Sequence, residues 1–126
     1  MTGIAENFDL SAYLRAEALR VEGDLHAAVT EVSGLVPVEL EHAIAHGVLS
    51  EGKRLRPVLC VAAYGACGGR SPRISELAVS LELIHAYSLM HDDLPCMDDA
   101  ELRRGLPTTP RVHGDEATAR AGAALI

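Results

Sequence analysis

The stretch from Leu83 to Gly105, LIHAYSLMHDDLPCMDDAELRRG, has the pattern that decides the fold. The stretch begins inside a long helix. Spacings of four and three residues, the period of one helical face, connect Leu77, Leu81, Ile84 and Ser88. His85 and Asp92 lie about two turns apart on the neighbouring face. Pro95 then ends the helix, because proline lacks an amide proton and disfavours helical angles at the preceding residue. The stretch therefore predicts a central helix that aligns a histidine with a carboxylate near its end.

Acidic residues cluster where this helix ends, and the four aspartates within eight residues are Asp92, Asp93, Asp98 and Asp99. Because the chain bends at the proline, Asp98 can turn back towards Asp92. Mg²⁺ is usually held by one or two carboxylates together with substrate phosphates. Arg103 and Arg104 follow closely and supply planar donors suited to phosphate oxygens. The pattern indicates a metal-bridged diphosphate. The alternative from the residues alone is a solvated acidic turn followed by a basic one.

A second candidate site is the turn at residues 47–57, GVLSEGKRLRP, which leads into a helix predicted over residues 58–66. Gly52 allows the backbone to come close to a ligand. Amides at a helix N-terminus attract anions, and nearby cations strengthen the attraction. The clustered cations are Lys53, Arg54 and Arg56. The segment therefore predicts an anion site, and a basic surface loop is the alternative.

The N-terminal third of the chain predicts one long helix after a loose arm at residues 1–7. Asp9 or Ser11 can cap this helix, and Gly34 can end it. Its apolar positions keep the helical spacing throughout: Leu10, Leu14, Ala18, Val21, Leu25, Ala28 and Val32.

The remaining segments also read as helices. Pro37 suits the first turn of a second helix, whose apolar positions are Leu40, Ile44 and Val48. His42 and His46 are spaced to bind a metal, but no third ligand is apparent, so a solvent-facing pair is favoured. The third helix is apolar nearly all round, which predicts that it is buried. Residues 116–126 form an alanine-rich last helix, and no stretch shows sustained strand alternation. The predicted fold is all-α.

Composition restricts the class of function. The chain has 126 residues, enough for one domain, and its formal net charge is −7. This charge argues against a nucleic-acid partner, because affinity for phosphate backbones requires a positive field. The N-terminus shows no signal peptide, and no apolar stretch is long enough to span a membrane. We therefore expect a cytoplasmic protein.

The wording IHAYSLMHDDLPCMDD-x-x-LRRG, together with GKRLRP at residues 52–57, closely resembles the isoprenyl diphosphate synthases of the polyprenyl synthetase family. The resemblance runs from about Pro37 to the C-terminus. DDLPCMD, from Asp92 to Asp98, corresponds to the first aspartate-rich motif of that family, in the form with two inserted residues. The resemblance implies a helical bundle of the isoprenoid synthase type. Residues 1–126 would form only the N-terminal part of this single domain, with the C-terminal half absent.

The resemblance implies roles for the acidic motif and its arginines. Asp92 and Asp98 would bind the Mg²⁺ that holds the allylic diphosphate, with Asp93 as a weaker candidate that supports them. Arg103 would contact the same diphosphate. The residues implied in catalysis are Asp92, Asp98, Arg103, Arg104 and Lys53.

The resemblance also assigns the second substrate and the product length. Isopentenyl diphosphate would be bound by Gly52, Lys53, Arg56, His85 and Arg104. On a lone helix, His85 would more simply be a core histidine satisfied by a backbone carbonyl. Tyr87 and Ser88 would limit the prenyl chain, which favours a short product such as C15, with C20 as the longer option.

The implied reaction is head-to-tail prenyl transfer. Mg²⁺ and the cations would draw charge onto the departing diphosphate, so that the allylic C–O bond ionises. The double bond of isopentenyl diphosphate would attack the carbocation, and a proton would then be lost. The apolar helices would keep water out of this cavity.

Two functions stay open at this point. One is the N-terminal half of a short-chain prenyltransferase, and the other is a truncated, non-catalytic subunit that binds or regulates a catalytic partner. The intact first motif favours the enzyme. The lack of a second aspartate-rich motif favours the subunit, as does Ala123, where the family usually has an aspartate. Leu106 and Pro110 also depart from the residues usual in the family. Half a bundle would expose apolar surface, so a homodimer or a complementary chain is expected.

Overall fold

The computed structural model describes residues 7–126, which form six helices and one short hairpin. All but the last residue of the predicted loose arm lies outside this range. The fold is mostly helical, which confirms the predicted class. The elements in chain order are α1 (Leu10–Ser33), α2 (Val38–Leu49), α3 (Leu55–Ala66), α4 (Ile74–Asp92), β1 (Leu102–Arg103), β2 (Leu106–Pro107), α5 (Thr109–His113) and α6 (Asp115–Ala123).

Helix α1 begins and ends where its capping residues predict. The Asp9 side chain accepts a hydrogen bond of 3.0 Å from the amide of Ala12, and Gly34 follows the last helical residue. The apolar stripe is only partly buried, because the N-terminal Leu10 is 59% exposed. Its buried positions are Val21, Leu25 and Val29. The second half of α1 therefore supplies most of its contribution to the core.

The core lies where α2 meets α1, α4 and α6. The predicted apolar positions of α2 are all buried, together with Ala43. Pro37 stands one residue before the helix as its cap rather than in its first turn. Residues 7–126 contain no helix that is both long and apolar enough to cross a bilayer.

The prediction that the third helix is buried was wrong. Helix α3 begins at Leu55, three residues earlier than predicted, and only Pro57 and Val58 of its residues are buried. On α4, the recurring face is open: Leu77, Leu81 and Ile84 are exposed, and Ser88 is half-buried. Periodicity identifies a helical face but not the neighbour that covers it. The buried face of α4 consists of small or polar residues as well as apolar ones: Ala78, Val79, Glu82, Ala86 and Met90.

The hairpin after α4 was not predicted. Leu102 pairs with Pro107, and Arg103 pairs with Leu106, in antiparallel register. Arg104 and Gly105 form the two-residue loop with φ of 53° and 79°. Positive φ at both loop positions is the type I′ arrangement, which matches the twist of the flanking strands. The structure also adds the short helix α5, and it starts α6 at Asp115 and ends it at Ala123 instead of extending it to residue 126.

Candidate functional site

The acidic motif forms a tight turn at the C-terminus of α4. The amide of Asp98 donates a hydrogen bond of 2.8 Å to the carbonyl of Asp92, and the amide of Asp99 donates to the carbonyl of Leu94 at 3.0 Å. Asp99 adopts φ of 48°, a conformation that aspartate tolerates better than most residues. The backbone therefore brings the segment of Asp98 back to Asp92, as the proline bend predicts.

The carboxylates in this turn fit part of a magnesium site. Asp92 is half-buried and Asp98 is exposed, so both can accept a hydrated cation. Within residues 7–126, no group of three or more His, Cys, Asp or Glu side chains could hold a metal ion. Mg²⁺ usually takes one or two carboxylates and completes its shell with waters and phosphate oxygens. The donor set suits a Mg²⁺–phosphate pair better than a metal held by the protein alone.

Asp93 and Arg103 form a bidentate ion pair beside this turn. Nε of Arg103 donates to Oδ2 of Asp93 at 3.0 Å, and Nη2 donates to Oδ1 at 2.7 Å. The Asp93 side chain is only 4% exposed, whereas that of Arg103 is 35% exposed. The hydrogen bonds that Arg103 donates to Asp93 raise the pKa of Arg103 above its ordinary value. Asp93 thus orients the arginine that the family resemblance assigns to the allylic diphosphate, and Nη1 of Arg103 takes no part in the ion pair.

The predicted basic residues line one open cavity of about 730 Å³ between α3, α4 and the hairpin turn. Lys53 and Arg56 are exposed, and Nη1 of Arg56 lies 3.3 Å from Nε2 of His85. Burial lowers the pKa of His85, and the positive charge of Arg56 lowers it further. The lowered pKa favours the neutral form of His85 as a hydrogen-bonding group beside this cation. His85 bonds to a side chain, unlike the core histidine that was the alternative.

Arg104 joins the hairpin to this cavity. Its Nη1 donates to the carbonyl of Glu51. A Cβ atom at Gly52 would lie 2.9 Å from the same Nη1, so only glycine leaves the guanidinium undisturbed. Gly52 thus permits a close approach, here by an arginine of the chain itself.

Sequence reasoning missed the part that Arg54 plays. It was grouped with the other cations, but the residue is 5% exposed. Its Nε, Nη1 and Nη2 donate to Glu22, Glu82 and the carbonyl of Ser50, respectively. Burial alone would lower the pKa of Arg54, but the hydrogen bonds that it donates to the two carboxylates raise it above its ordinary value. The available signal was Glu82, which lies one turn from an alanine on either side and so shares their buried face.

The two residues assigned to product length lie on different sides of α4. Ser88 lines an open, largely apolar cavity with Leu81 and Ile84. Tyr87 packs against the core and meets the His91 ring edge-on, with 4.7 Å between ring centroids. Ser88 is therefore the one that faces the open side of the helix. The role of both residues in product length stays a prediction.

The prediction of a solvent-facing histidine pair on α2 was wrong for His46. His42 is exposed, but Nδ1 of His46 lies 3.1 Å from Nε2 of His113, and Nε2 of His46 lies 3.1 Å from the carbonyl of Pro107. The hairpin and α5, which the sequence did not predict, cover this side of α2. Burial lowers the pKa of His113, and the two histidines of α2 lower it further.

Comparisons with known proteins agree with this architecture. Residues 37–126 match the polyprenyl synthetase family model. The chain is 44% identical over 125 residues to geranylgeranyl pyrophosphate synthase 7, chloroplastic, of Arabidopsis thaliana, an alignment that covers 98% of this chain and 35% of that protein. It is 41% identical over 120 residues to the heterodimeric geranylgeranyl pyrophosphate synthase large subunit 1, chloroplastic, of the same plant, covering 95% of this chain and 32% of that protein.

A solved structure shows the same fold. The geranyltranstransferase of Thermotoga maritima superposes with a TM-score of 0.81 at 31% sequence identity, over 89% of this chain and 41% of that one. The chain spans about a third of the length of the curated relatives that it matches.

Proposed function

The chain belongs to the polyprenyl synthetase family, and we propose from this premise that it provides the first metal site and the basic diphosphate site of a short-chain prenyltransferase. The product would be a prenyl diphosphate of C15, or of C20 as the longer option, made from isopentenyl diphosphate and an allylic diphosphate. Residues 1–126 would form the N-terminal part of a single isoprenoid synthase domain.

One observation supports this proposal above the others. The hairpin places two neighbouring arginines beside the two proposed diphosphate sites. Arg103 contacts Asp93 beside the acidic turn, and Arg104 contacts Glu51 beside the basic cavity. This arrangement suits two diphosphates bound side by side. One would bind through a metal cation at the acidic turn, and the other would bind directly to the basic side chains.

The residues divide the reaction between them. Asp92 and Asp98 would hold Mg²⁺, with Asp93 acting through Arg103. Mg²⁺, when bound, would neutralise charge on the allylic diphosphate and so favour loss of that group. Arg103 would donate to the same phosphate oxygens through the nitrogen outside its ion pair.

The second substrate would lie in the basic cavity. Lys53 and Arg56 would contact the diphosphate of isopentenyl diphosphate, with Arg104 and the backbone at Gly52. Because the pKa of His85 is lowered, its neutral ring can donate one hydrogen bond to the diphosphate. The neutral ring also adds no second positive charge beside Arg56. The open cavity at Ser88 would receive the prenyl chain, and Tyr87 would support the helix wall beside it.

Such a reaction needs a dry cavity, which this chain leaves open. Leu59, Leu81 and Ile84 form an exposed apolar face on α3 and α4. Burying apolar area is favourable by about 25 cal/mol per Å², so a partner should cover this face. We propose a homodimer or a complementary chain, and one relative is itself named as a subunit of a heterodimer. A cytoplasmic location stays a prediction, since the two plant relatives are named chloroplastic.

The alternative of a non-catalytic subunit is not favoured, because one relative is named a geranylgeranyl pyrophosphate synthase and the solved structure is named a geranyltranstransferase. The test is a prenyl-transfer assay on the purified chain with Mg²⁺, isopentenyl diphosphate, and dimethylallyl or geranyl diphosphate. We expect a longer prenyl diphosphate that Asp92→Ala abolishes. Asp99→Asn is the matched control, since Asp99 is exposed and pairs with Arg111. No product together with no magnesium-dependent diphosphate binding would contradict the proposal.

A further inference from the structure

We propose that Arg54 is a positioning residue, which sets the shape of the basic cavity without touching the diphosphate itself. This inference rests on the proposed function, because it concerns the same anion site. In this inference, Glu22 and Glu82 hold the guanidinium of Arg54 in place by accepting its hydrogen bonds.

Arg54 is held on every side by groups of the protein. Glu22 reaches it from α1 and Glu82 from α4, while Nη2 donates to the carbonyl of Ser50 at 2.8 Å. The Glu82 side chain is 7% exposed and lies 3.0 Å from Nη1. All three kinds of guanidinium nitrogen are thus engaged with protein oxygens, and a diphosphate would have to displace one of them to bind here.

Holding Arg54 determines where its neighbours lie. Arg54 is buried on the same side as Pro57 and Val58, whereas Lys53 and Arg56 are exposed. Arg54 also adopts φ of 51°, which costs about 1 kcal/mol or more for a residue with a Cβ and turns the chain sharply before α3. The buried ion pairs therefore stabilise the one loop conformation that leaves the two exposed cations on the cavity side.

The loop backbone is fixed at two successive carbonyls. Arg54 binds the carbonyl of Ser50, and Arg104 binds the carbonyl of Glu51. In a trans peptide the N–H points away from its own C=O, so these two bonds also fix the directions of the amides of Glu51 and Gly52. Loss of the Arg54 contacts would free this segment while leaving every cation of the cavity in the sequence.

The experiment measures binding of inorganic diphosphate by calorimetry, in buffer containing a chelator, so that the acidic turn cannot bind through a metal. Arg54→Lys keeps the charge but loses the planar group that reaches three oxygens at once. Arg73→Lys is the matched control, because Arg73 also pairs with a glutamate but is 81% exposed. Glu22→Gln is a second variant, milder because that side chain is 33% exposed and the amide keeps an acceptor for Nε.

We expect the dissociation constant for diphosphate to rise about tenfold in Arg54→Lys and about threefold in Glu22→Gln, and to stay unchanged in Arg73→Lys. Circular dichroism at the binding temperature selects the variants that are folded, so that a loss of stability alone does not count. A folded Arg54→Lys that binds like the wild type overturns the inference, and Glu22→Gln decides in the same way if Arg54→Lys does not fold. Failure of the wild type to bind diphosphate without a metal would instead contradict the basic site of the proposed function.

Discussion

Replacing Asp93 by asparagine removes the charge that orients Arg103 and keeps the shape of the side chain. Asp93 accepts two charge-assisted hydrogen bonds at 2.7 and 3.0 Å, and its side chain is 4% exposed. Removing one partner of a fully buried ion pair costs about 3–5 kcal/mol. Arg103 is about a third exposed and can turn towards water, so we expect the free energy of unfolding to fall by about 2 kcal/mol.

This change is large enough to measure by urea unfolding followed by far-ultraviolet circular dichroism. For a domain of this size, 2 kcal/mol corresponds to a decrease in Tm of about 6–10 °C. Asp99→Asn is the control, because the Asp99 side chain makes an ion pair of 3.5 Å with Arg111 at an exposed position. The control should change the free energy of unfolding by less than about 0.5 kcal/mol.

A double-mutant cycle with Arg103→Gln isolates the pair itself. We expect a coupling energy of about 1.5 kcal/mol between Asp93 and Arg103. If Asp93→Asn destabilises the chain no more than Asp99→Asn does, or if the coupling energy is near zero, then Asp93 does not hold Arg103 in solution. The assignment of an orienting role to this carboxylate would then be wrong.

Three further predictions concern the rest of the structure. Leu25→Ala empties a fully buried site on α1 and should lower the free energy of unfolding by about 3 kcal/mol, while Leu19→Ala, at a 74% exposed position, should change it by less than about 0.5 kcal/mol in the same urea titration. Gly122→Ala would push a methyl group into the imidazole of His91 and should lower the free energy of unfolding by about 1–3 kcal/mol. Gly23→Ala, where nothing lies within 4 Å, should instead raise it by about 0.5–1 kcal/mol. Equal effects of the two substitutions would show that the packing of His91 on Gly122 is absent. Because the pKa of His113 is lowered in the folded chain, the unfolded chain binds a proton at a higher pH than the folded chain does, so the free energy of unfolding should decrease as pH falls below about 6.5. His113→Gln should make that decrease shallower. An identical pH profile of the variant and the wild type would contradict this.

The helices were predictable from the sequence because their signals are local. The cap at Asp9 and the stop at Gly34 both depend on residues within one turn, and the structure confirms them. The return of Asp98 to Asp92 was also predictable, because Pro95 fixes where the helix can continue. These features follow from backbone chemistry that does not depend on the rest of the fold.

What could not be predicted depends on which elements meet. The leucines of α4 have the spacing of a buried stripe, yet Leu77 is 55% exposed. His46 was expected in solvent and instead lies against α5 and the hairpin, neither of which shows a long periodic pattern. The burial of Arg54 required knowledge of two glutamates that are 32 and 28 residues away in sequence. Ion pairs between residues so far apart cannot be predicted from any short segment of the sequence.

The hairpin loop also bears on how the sequence tolerates change. Arg103 and Arg104 are the same amino acid in adjacent positions, but one contacts the carboxylate of Asp93, just after α4, and the other a backbone carbonyl before α3. Their assignment depends on the reversal of the chain at Arg104, where φ is 53°. Deleting one residue from the segment before them would shift both out of register, although the letters RR would remain in place. An alignment that scores only the presence of two arginines would therefore count as intact a chain in which neither guanidinium reaches its partner.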